Sequence, residues 1–462
     1  MTDSRGVVVL WFRRDLRLAD HPALHAAAAG GRRVVPLFVV DPAFERAGAS
    51  RRAYMAAALK ALDLSMDRAL VYRHGDPVQA VAELAAEVGA SEVYVTRDHA
   101  PYGRRRDAEV GAALSESGRR LVGVGANYAV APGTVTKADG TPYAVFTPFS
   151  KAWRAHGWAA PLEVPDVEWM GAPTVRCDGP PAPVQVELDL GWVDEEAVAR
   201  RWADWFPAAS AYHEQRDLPA VDGTSRLSAA LRWGVVHPRQ LLADLGPERG
   251  HEVLASELGW REFYADVLLH HPETSWRNLN PRMDAMPVDT DAAARARFER
   301  WASGSTGYPV IDAAMRQLRS TGWMHNRVRM IVASLLTKNL MVHWLKGAEW
   351  FWDTLVDADL ASNTLGWQWT AGCGADASPY FRIFNPILQG EKFDAAGHYI
   401  RRWIPELSQV PNQWIHHPFD LPAQELKAYG VVLDQDYPKP MVDLKVSRER
   451  ALAAFAAIKS VA

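Results

Sequence analysis

The chain has 462 residues, 48% of them hydrophobic and 23% charged, with a formal net charge of −4. This composition fits a globular protein with two or three cores; it excludes a disordered or globally basic chain, so any nucleic-acid contact must come from a local patch. No apolar run approaches the roughly 18 residues of a membrane-spanning helix, and two cysteines, Cys177 and Cys373, cannot build a disulfide framework or a thiolate metal site.

The opening MTDSRGVVVLWFRRDLRL carries an apolar stretch too short for a signal peptide, followed by charge, so a cytoplasmic location is expected. VVVLWF (7–12) and RVVPLFVVD (33–41) read as strands buried on both faces, because their apolar runs are continuous. ALVYRHG, SEVYVTRD and RLVGVGA repeat that pattern, separated by helical runs such as RRAYMAAALKALDLSM and DPVQAVAELAAEVGA. Residues 1–130 therefore read as a doubly wound parallel-sheet α/β domain, with ligands expected at the carboxyl ends of the strands. No GxGxxG follows the first strand, so an ordinary dinucleotide site is not expected there. Residues 131–195 lose periodicity and gain proline, as an interdomain linker would, and residues 196–462 read as an all-α domain.

Four segments of that second half carry unusual chemistry. GTSRLS (223–228) gathers hydroxyls at a helix start, which suits simple capping or a phosphate cradle. In SELGWREFY, residues Glu257, Trp260, Arg261 and Tyr264 share one helical face, either an amphipathic helix with a buried Trp or a cavity wall with a stacking ring. TGWMHNRVRM places Arg327 and Arg329 near a helix start, where the macrodipole disfavours cations, so an anion or an acidic side chain is expected nearby; His325 reads as a structural histidine. VDADLASNTLGWQW brings Asp357, Asp359, Asn363, Trp367 and Trp369 together with too few aliphatics for a core helix, and with Trp344 upstream the indoles suit packing or electron hopping.

These segments resemble the photolyase/cryptochrome family. WFRRDLRLADHPAL, YHEQRDLPAVDGTSRLS, WREFY, TGYPVIDAAMRQLRSTGWMHNRVRM, DADLASNTLGWQW and YFRIFNPILQGEKFD follow in family order over essentially the whole chain. The nearest likeness is to class I cyclobutane pyrimidine dimer photolyases. The resemblance implies FAD contacts at Tyr212, Thr224, Ser225, Arg226, Leu227, Ser228, Asn326, Arg329, Asp357 and Asp359, with Asn363 facing flavin N5. It implies that Trp260 and Trp369 sandwich a flipped-out dimer, that Glu257 hydrogen-bonds it and that Met330 closes a dimer-type motif. DNA contacts are implied at Arg216, Glu257, Trp260, Arg261, Tyr264, Asn326, Arg327, Trp369 and Gln389, on single- or double-stranded DNA bound by a monomer. The implied reaction is electron donation from excited, fully reduced FAD to the dimer, with no nucleophile and no metal.

Three positions depart from the family pattern. Trp367 and Trp344 match the inner members of a tryptophan chain, but NLNPRMDAMPVDTDAAARARF holds no outer Trp, so either another aromatic ends the chain or photoreduction of oxidised FAD is slow. Gly103, in DHAPYGRRRD, stands where folate-binding relatives have glutamate, which points to an 8-hydroxy-5-deazaflavin antenna ahead of methenyltetrahydrofolate. His21 follows Asp20 where Asn is common. Competing readings are a cryptochrome-type light sensor, opposed by Asn363 and by the short end after FAAIKSVA, a 6-4 photolyase, opposed by Asn326, and a non-catalytic DNA-binding flavoprotein.

Overall fold

The computed structural model describes residues 6–172 and 174–459; the first five and last three residues, on which the leader and C-terminal readings partly rest, lie outside it. Strands β1 (Val7–Phe12), β2 (Arg33–Val40), β3 (Val71–His74), β4 (Glu92–Arg97) and β5 (Arg120–Ala126) form a parallel sheet in the order β3-β2-β1-β4-β5. A short β6 (Glu168–Trp169) pairs with the start of β2. Helices α1 (Pro22–Ala28), α2 (Ala49–Ser65), α3 (Pro77–Glu87) and α4 (Pro101–Glu116) make the crossovers.

The continuous apolar strands are explained by cover on both faces. Val8, Leu10 and Phe12 pack with residues of α1 and α2, while Val9 and Trp11 pack with residues of α3 and α4. His21 has a definite job: its Nδ1 accepts the Leu24 N–H at 3.1 Å and caps α1, while its Nε2 lies 3.2 Å from the buried Asp15 carboxylate. An N-cap needs an acceptor, which His supplies here as Asn would.

The stretch read as a linker is not featureless. It contains α5 (Phe146–His156), which buries Phe149 and Trp153, four residues apart on one face. Trp153 Nε1 donates to Glu262 at 2.5 Å, inside the helical domain. The proline-rich surroundings of this single amphipathic turn pattern masked it.

The helical domain comprises α6 (Glu195–Trp205), α7 (Tyr212–Gln215), α8 (Ser228–Trp233), α9 (Pro238–Ala243), α10 (Arg249–His270), α11 (Ala292–Ser303), α12 (Pro309–Thr321), α13 (Asn326–Ser334), α14 (Trp344–Thr354), α15 (Leu360–Ala371), α16 (Pro386–Phe393), α17 (His398–Trp403), α18 (Ala423–Ala428) and α19 (Leu444–Lys459). No helix among the described residues is long and apolar enough to cross a membrane.

The loop after β1 is locked onto this domain. Leu16 N donates to Trp233 O at 3.2 Å and Arg17 Nη1 to Gly234 O at 3.0 Å. Gly234 ends α8 with φ +67°, and a Cβ there would sit 2.1 Å from Arg14 O, so both conformation and contact require glycine. Asp20, fully buried, meets His237 Nδ1 at 2.9 Å and also pairs with Arg239.

Candidate active site

Residues 356–359, the loop before α15, are held by donors from four directions. Trp233 Nε1 donates to Val356 O at 3.2 Å, Arg329 Nη2 to Asp357 Oδ2 at 2.8 Å, Arg232 Nε to Ala358 O at 2.8 Å, and Arg14 Nη1 to Asp359 Oδ2 at 3.2 Å. Asp359 Oδ1 also accepts the Ser362 N–H at 3.2 Å and caps α15. The Asp359 carboxylate is thus committed to the cap and the domain junction. Burial works against its ionisation, but Arg14, Arg232 and Arg261 together hold its pKa below the usual carboxylate value.

Asp357 is different. One oxygen pairs with Arg329, while Oδ1 is buried without a hydrogen-bond partner among the described residues. A buried acceptor left open beside a cation suits a polar cofactor group. Asn363 lies one turn into α15; its Nδ2 donates to Ala348 O at 2.9 Å, which fixes the amide and directs Oδ1 to other partners.

The charge conflict at the start of α13 is resolved by ordinary side chains. Arg329 pairs with Asp357, and Arg327 pairs with Asp217 at 2.7 Å. His325 is the N-cap, its Nδ1 accepting the Arg327 N–H at 3.2 Å. Burial, with Arg329, Arg327 and Arg226 nearby, pushes its imidazole down to about 4, against the pull of Asp217, so it is a neutral cap. Asn326, the first residue of α13, is exposed.

The GTSRLS segment lies almost wholly before α8, which has only six residues and no side-chain cap. Arg226 has φ +58°, and its guanidinium lies over the Trp323 ring at 5.0 Å and 3.2 Å from Asp222. Arg201, which sequence reasoning missed, shapes the turn from below, donating to Thr224 O at 2.9 Å and Ser225 O at 3.1 Å. Those carbonyls are tied back, and the Ser225 hydroxyl accepts the Leu227 N–H at 3.5 Å. Tyr212 is buried beneath Arg216, 5.6 Å from ring to guanidinium.

A chain of polar contacts joins α10, α7, α13 and α16. Glu257 Oε1 accepts from Arg216 Nη1 at 2.6 Å, and Arg216 Nε lies 3.9 Å from Asp217. Arg327 continues the chain from Asp217 and lies over the Phe393 ring at 4.5 Å, with Met330 Sδ 3.9 Å from its Nη1. Gln389 stands one turn before Phe393 on α16. Trp260 stacks on Phe146 of α5 with centroids 3.9 Å apart and lies tilted against Tyr264 at 5.4 Å. Burial, then Glu257 and Asp376, push the Tyr264 hydroxyl pKa up, so it stays protonated. Arg261, expected on the same face, is turned into the domain junction, donating to Asn127 O at 2.9 Å and Leu231 O at 3.1 Å.

On α15, Trp367 and Trp369 face opposite ways. Trp369 is half-buried, and its carbonyl accepts the Ser378 N–H at 3.1 Å. Trp367 is buried, with ring contacts to Phe351 at 5.0 Å and Trp301 at 6.0 Å. Gly347 on α14 makes room for it, since a Cβ there would lie 2.1 Å from Trp367 Cη2. Trp344 is buried on the same helix, its Nε1 donating to Asn278 Oδ1 at 2.8 Å.

The family described as "DNA photolyase" matches residues 8–166, and that described as "FAD binding domain of DNA photolyase" matches residues 253–457. Deoxyribodipyrimidine photo-lyase of Agrobacterium fabrum is 40% identical, covering 99% of this chain and 99% of its own. A class III photolyase structure from Agrobacterium tumefaciens superposes with TM-score 0.93 at 38% identity, covering 100% of this chain and 99% of that one. A cryptochrome from Synechocystis superposes with TM-score 0.89 at 30% identity, covering 98% of this chain and 100% of that one. With both family models matched and relatives aligned over the full length, this chain belongs to the DNA photolyase family and carries its FAD-binding domain.

Proposed function

We propose that this protein repairs cyclobutane pyrimidine dimers in DNA with light, drawing an electron from fully reduced FAD to a lesion flipped out of the helix. The observation that carries this reading is the Glu257–Arg216–Asp217–Arg327 chain beside Trp260, on a helix, α10, that packs on α15 with its Asn363 and Trp369. Bound FAD, reduced and photoexcited, would supply the electron. The remaining contributions belong to the chain itself.

Trp260 offers a ring stiffened by Phe146 on one side, and Trp369 is the second candidate surface for stacking the extruded bases. Glu257, oriented by Arg216, accepts N–H donors of the lesion. Arg327 and Gln389 are the side chains offered to a flanking phosphate. Asp357 Oδ1 and the Asn363 amide oxygen are the acceptors available to the flavin, and Arg329 favours an anionic reduced cofactor. Extruding a dimer takes less free energy than extruding intact bases, because it already stacks badly.

An 8-hydroxy-5-deazaflavin antenna in the sheet domain is part of the proposal, as are action in the cytoplasm and a monomeric state. At Gly103 a Cβ would meet Asp98 Cγ at 2.2 Å, so a glutamate there would force the Asp98 side chain to shift. A folate band in protein purified from its native host would contradict it.

The substrate reading is tested in the dark by comparing affinity for dimer-containing and intact oligonucleotides. The wild type is expected to prefer the dimer, and Trp260→Ala and Trp369→Ala to lose about tenfold or more of that preference, as loss of base stacking requires. Equal affinity of the wild type for both oligonucleotides would overturn it.

A further inference from the structure

We infer that Arg14, on the loop after β1 in the sheet domain, is a positioning residue for the flavin-facing helix α15 of the other domain. Arg14 Nη1 reaches Asp359 Oδ2 at 3.2 Å across 345 residues of sequence, and Arg14 Nη2 lies 3.6 Å from Asp98. Asp359 is the N-cap of α15, and its carbonyl accepts the Asn363 N–H at 2.8 Å. Asn363 Nδ2 is in turn fixed on Ala348 O. The Asp359 rotamer therefore sets where the first turn of α15 begins and how Asn363 is presented.

Arg14 is suited to hold that rotamer because its own root cannot move. Its carbonyl is packed against Gly234, Leu16 and Arg17 are bonded to Trp233 and Gly234, and its neighbour Arg13 is paired with Asp107 at 2.6 Å. Arg232 and Arg329 fix neighbouring groups, Ala358 O and Asp357, but among the described residues the cation paired with the Asp359 carboxylate is Arg14. A charge-assisted bond that is mostly shielded from water is strong enough to select a rotamer. Removing Arg14 leaves the buried cap carboxylate without its paired cation, with only the longer-range charges of Arg232 and Arg261 to balance it, and the helix start is then less firmly held.

The inference rests on the reading that α15 lines the flavin site, and the test separates the two. FAD-loaded wild type, Arg14→Gln, Arg14→Lys, Asp359→Asn, the Arg14→Gln/Asp359→Asn double variant and Asn363→Ala are compared for FAD dissociation constant, the fine structure of the flavin absorption band and midpoint potential, with melting temperature reporting the fold. Arg14→Gln is expected to weaken FAD binding about tenfold, blur the band and lower the potential. Arg14→Lys recovers most of this, and the double variant is no worse than Arg14→Gln alone, as coupled partners require. Wild-type FAD binding, spectrum and potential in Arg14→Gln, or fully additive effects of the two single variants, would overturn the role of Arg14. An unchanged flavin spectrum in Asn363→Ala would instead refute the placing of α15, and the inference with it. If Arg14→Gln does not fold, Arg14→Lys and Asp359→Asn carry the comparison, and wild-type flavin properties in Asp359→Asn overturn the proposal.

Discussion

Glu257 on α10 and Arg216 just after α7 are joined by a 2.6 Å bond between Oε1 and Nη1, and Arg216 also covers the ring of Tyr212. One guanidinium thus links a residue proposed to meet the lesion with one proposed to meet the flavin. Replacing Glu257 by Gln keeps the shape but removes the charge that orients Arg216. Dimer affinity is expected to fall about tenfold or more, in line with loss of a hydrogen bond to a charged group of about 1.5–3 kcal/mol. FAD content should stay at the wild-type level, and titration with a dimer-containing oligonucleotide checks both.

The tryptophans separate two light reactions. Trp367 is the buried ring on the face of α15 turned away from Trp369 and contacts Trp301 and Phe351. Trp367→Phe is expected to abolish photoreduction of oxidised FAD by at least tenfold in rate, while repair by chemically reduced protein persists. Without a Trp in the segment 278–298, wild-type photoreduction itself is expected to be slow. Transient absorption showing fast, efficient three-step tryptophan oxidation would contradict this.

Acid should loosen the start of α13. His325 is held down to about 4 by burial and by Arg329, Arg327 and Arg226, whereas an unfolded histidine titrates near 6.5. The unfolded chain therefore binds more protons between those values, so this contribution is fully present above about pH 6.5 and is lost as pH falls towards 4. The loss is on the order of 3 kcal/mol at most. His325→Asn preserves an N-cap acceptor and should flatten that part of the melting temperature against pH. An unchanged slope in the variant would contradict it.

Gly103→Glu is expected to destabilise the sheet domain by about 1–3 kcal/mol, because the added Cβ meets Asp98 Cγ at 2.2 Å. Asp98 has little freedom to yield, lying between Arg14 at 3.6 Å and Arg106 at 3.7 Å. Denaturant unfolding of the variant measures the loss.

Much of this was readable in the chain, for physical reasons that differ by region. Strands β1, β2 and β4 were visible because burial on both faces leaves uninterrupted apolar runs, and Val7–Phe12 coincides with its expected span. The helix of Phe146–His156 was not, because a single pair, Phe149 and Trp153, carries its pattern amid prolines. Arg327 and Arg329 announced nearby anions, but periodicity could not say that Asp217 and Asp357 supply them. Arg14 and Asp359 stand 345 positions apart, so only the folded chain reveals their pairing. Arg261 shares a helical spacing with Trp260, yet its long side chain swings to Asn127 and Leu231, a choice that spacing does not encode.

The central claim is most directly tested by illuminating the FAD-loaded, fully reduced protein with blue light in the presence of oligonucleotides bearing either a cyclobutane thymine dimer or a 6-4 photoproduct. Restored thymines are counted against a dark control. The account predicts that thymines are restored from the cyclobutane dimer in the light, with none restored in the dark and none from the 6-4 lesion. Failure to restore thymines from the cyclobutane dimer under illumination, with the flavin shown to be reduced, would contradict it.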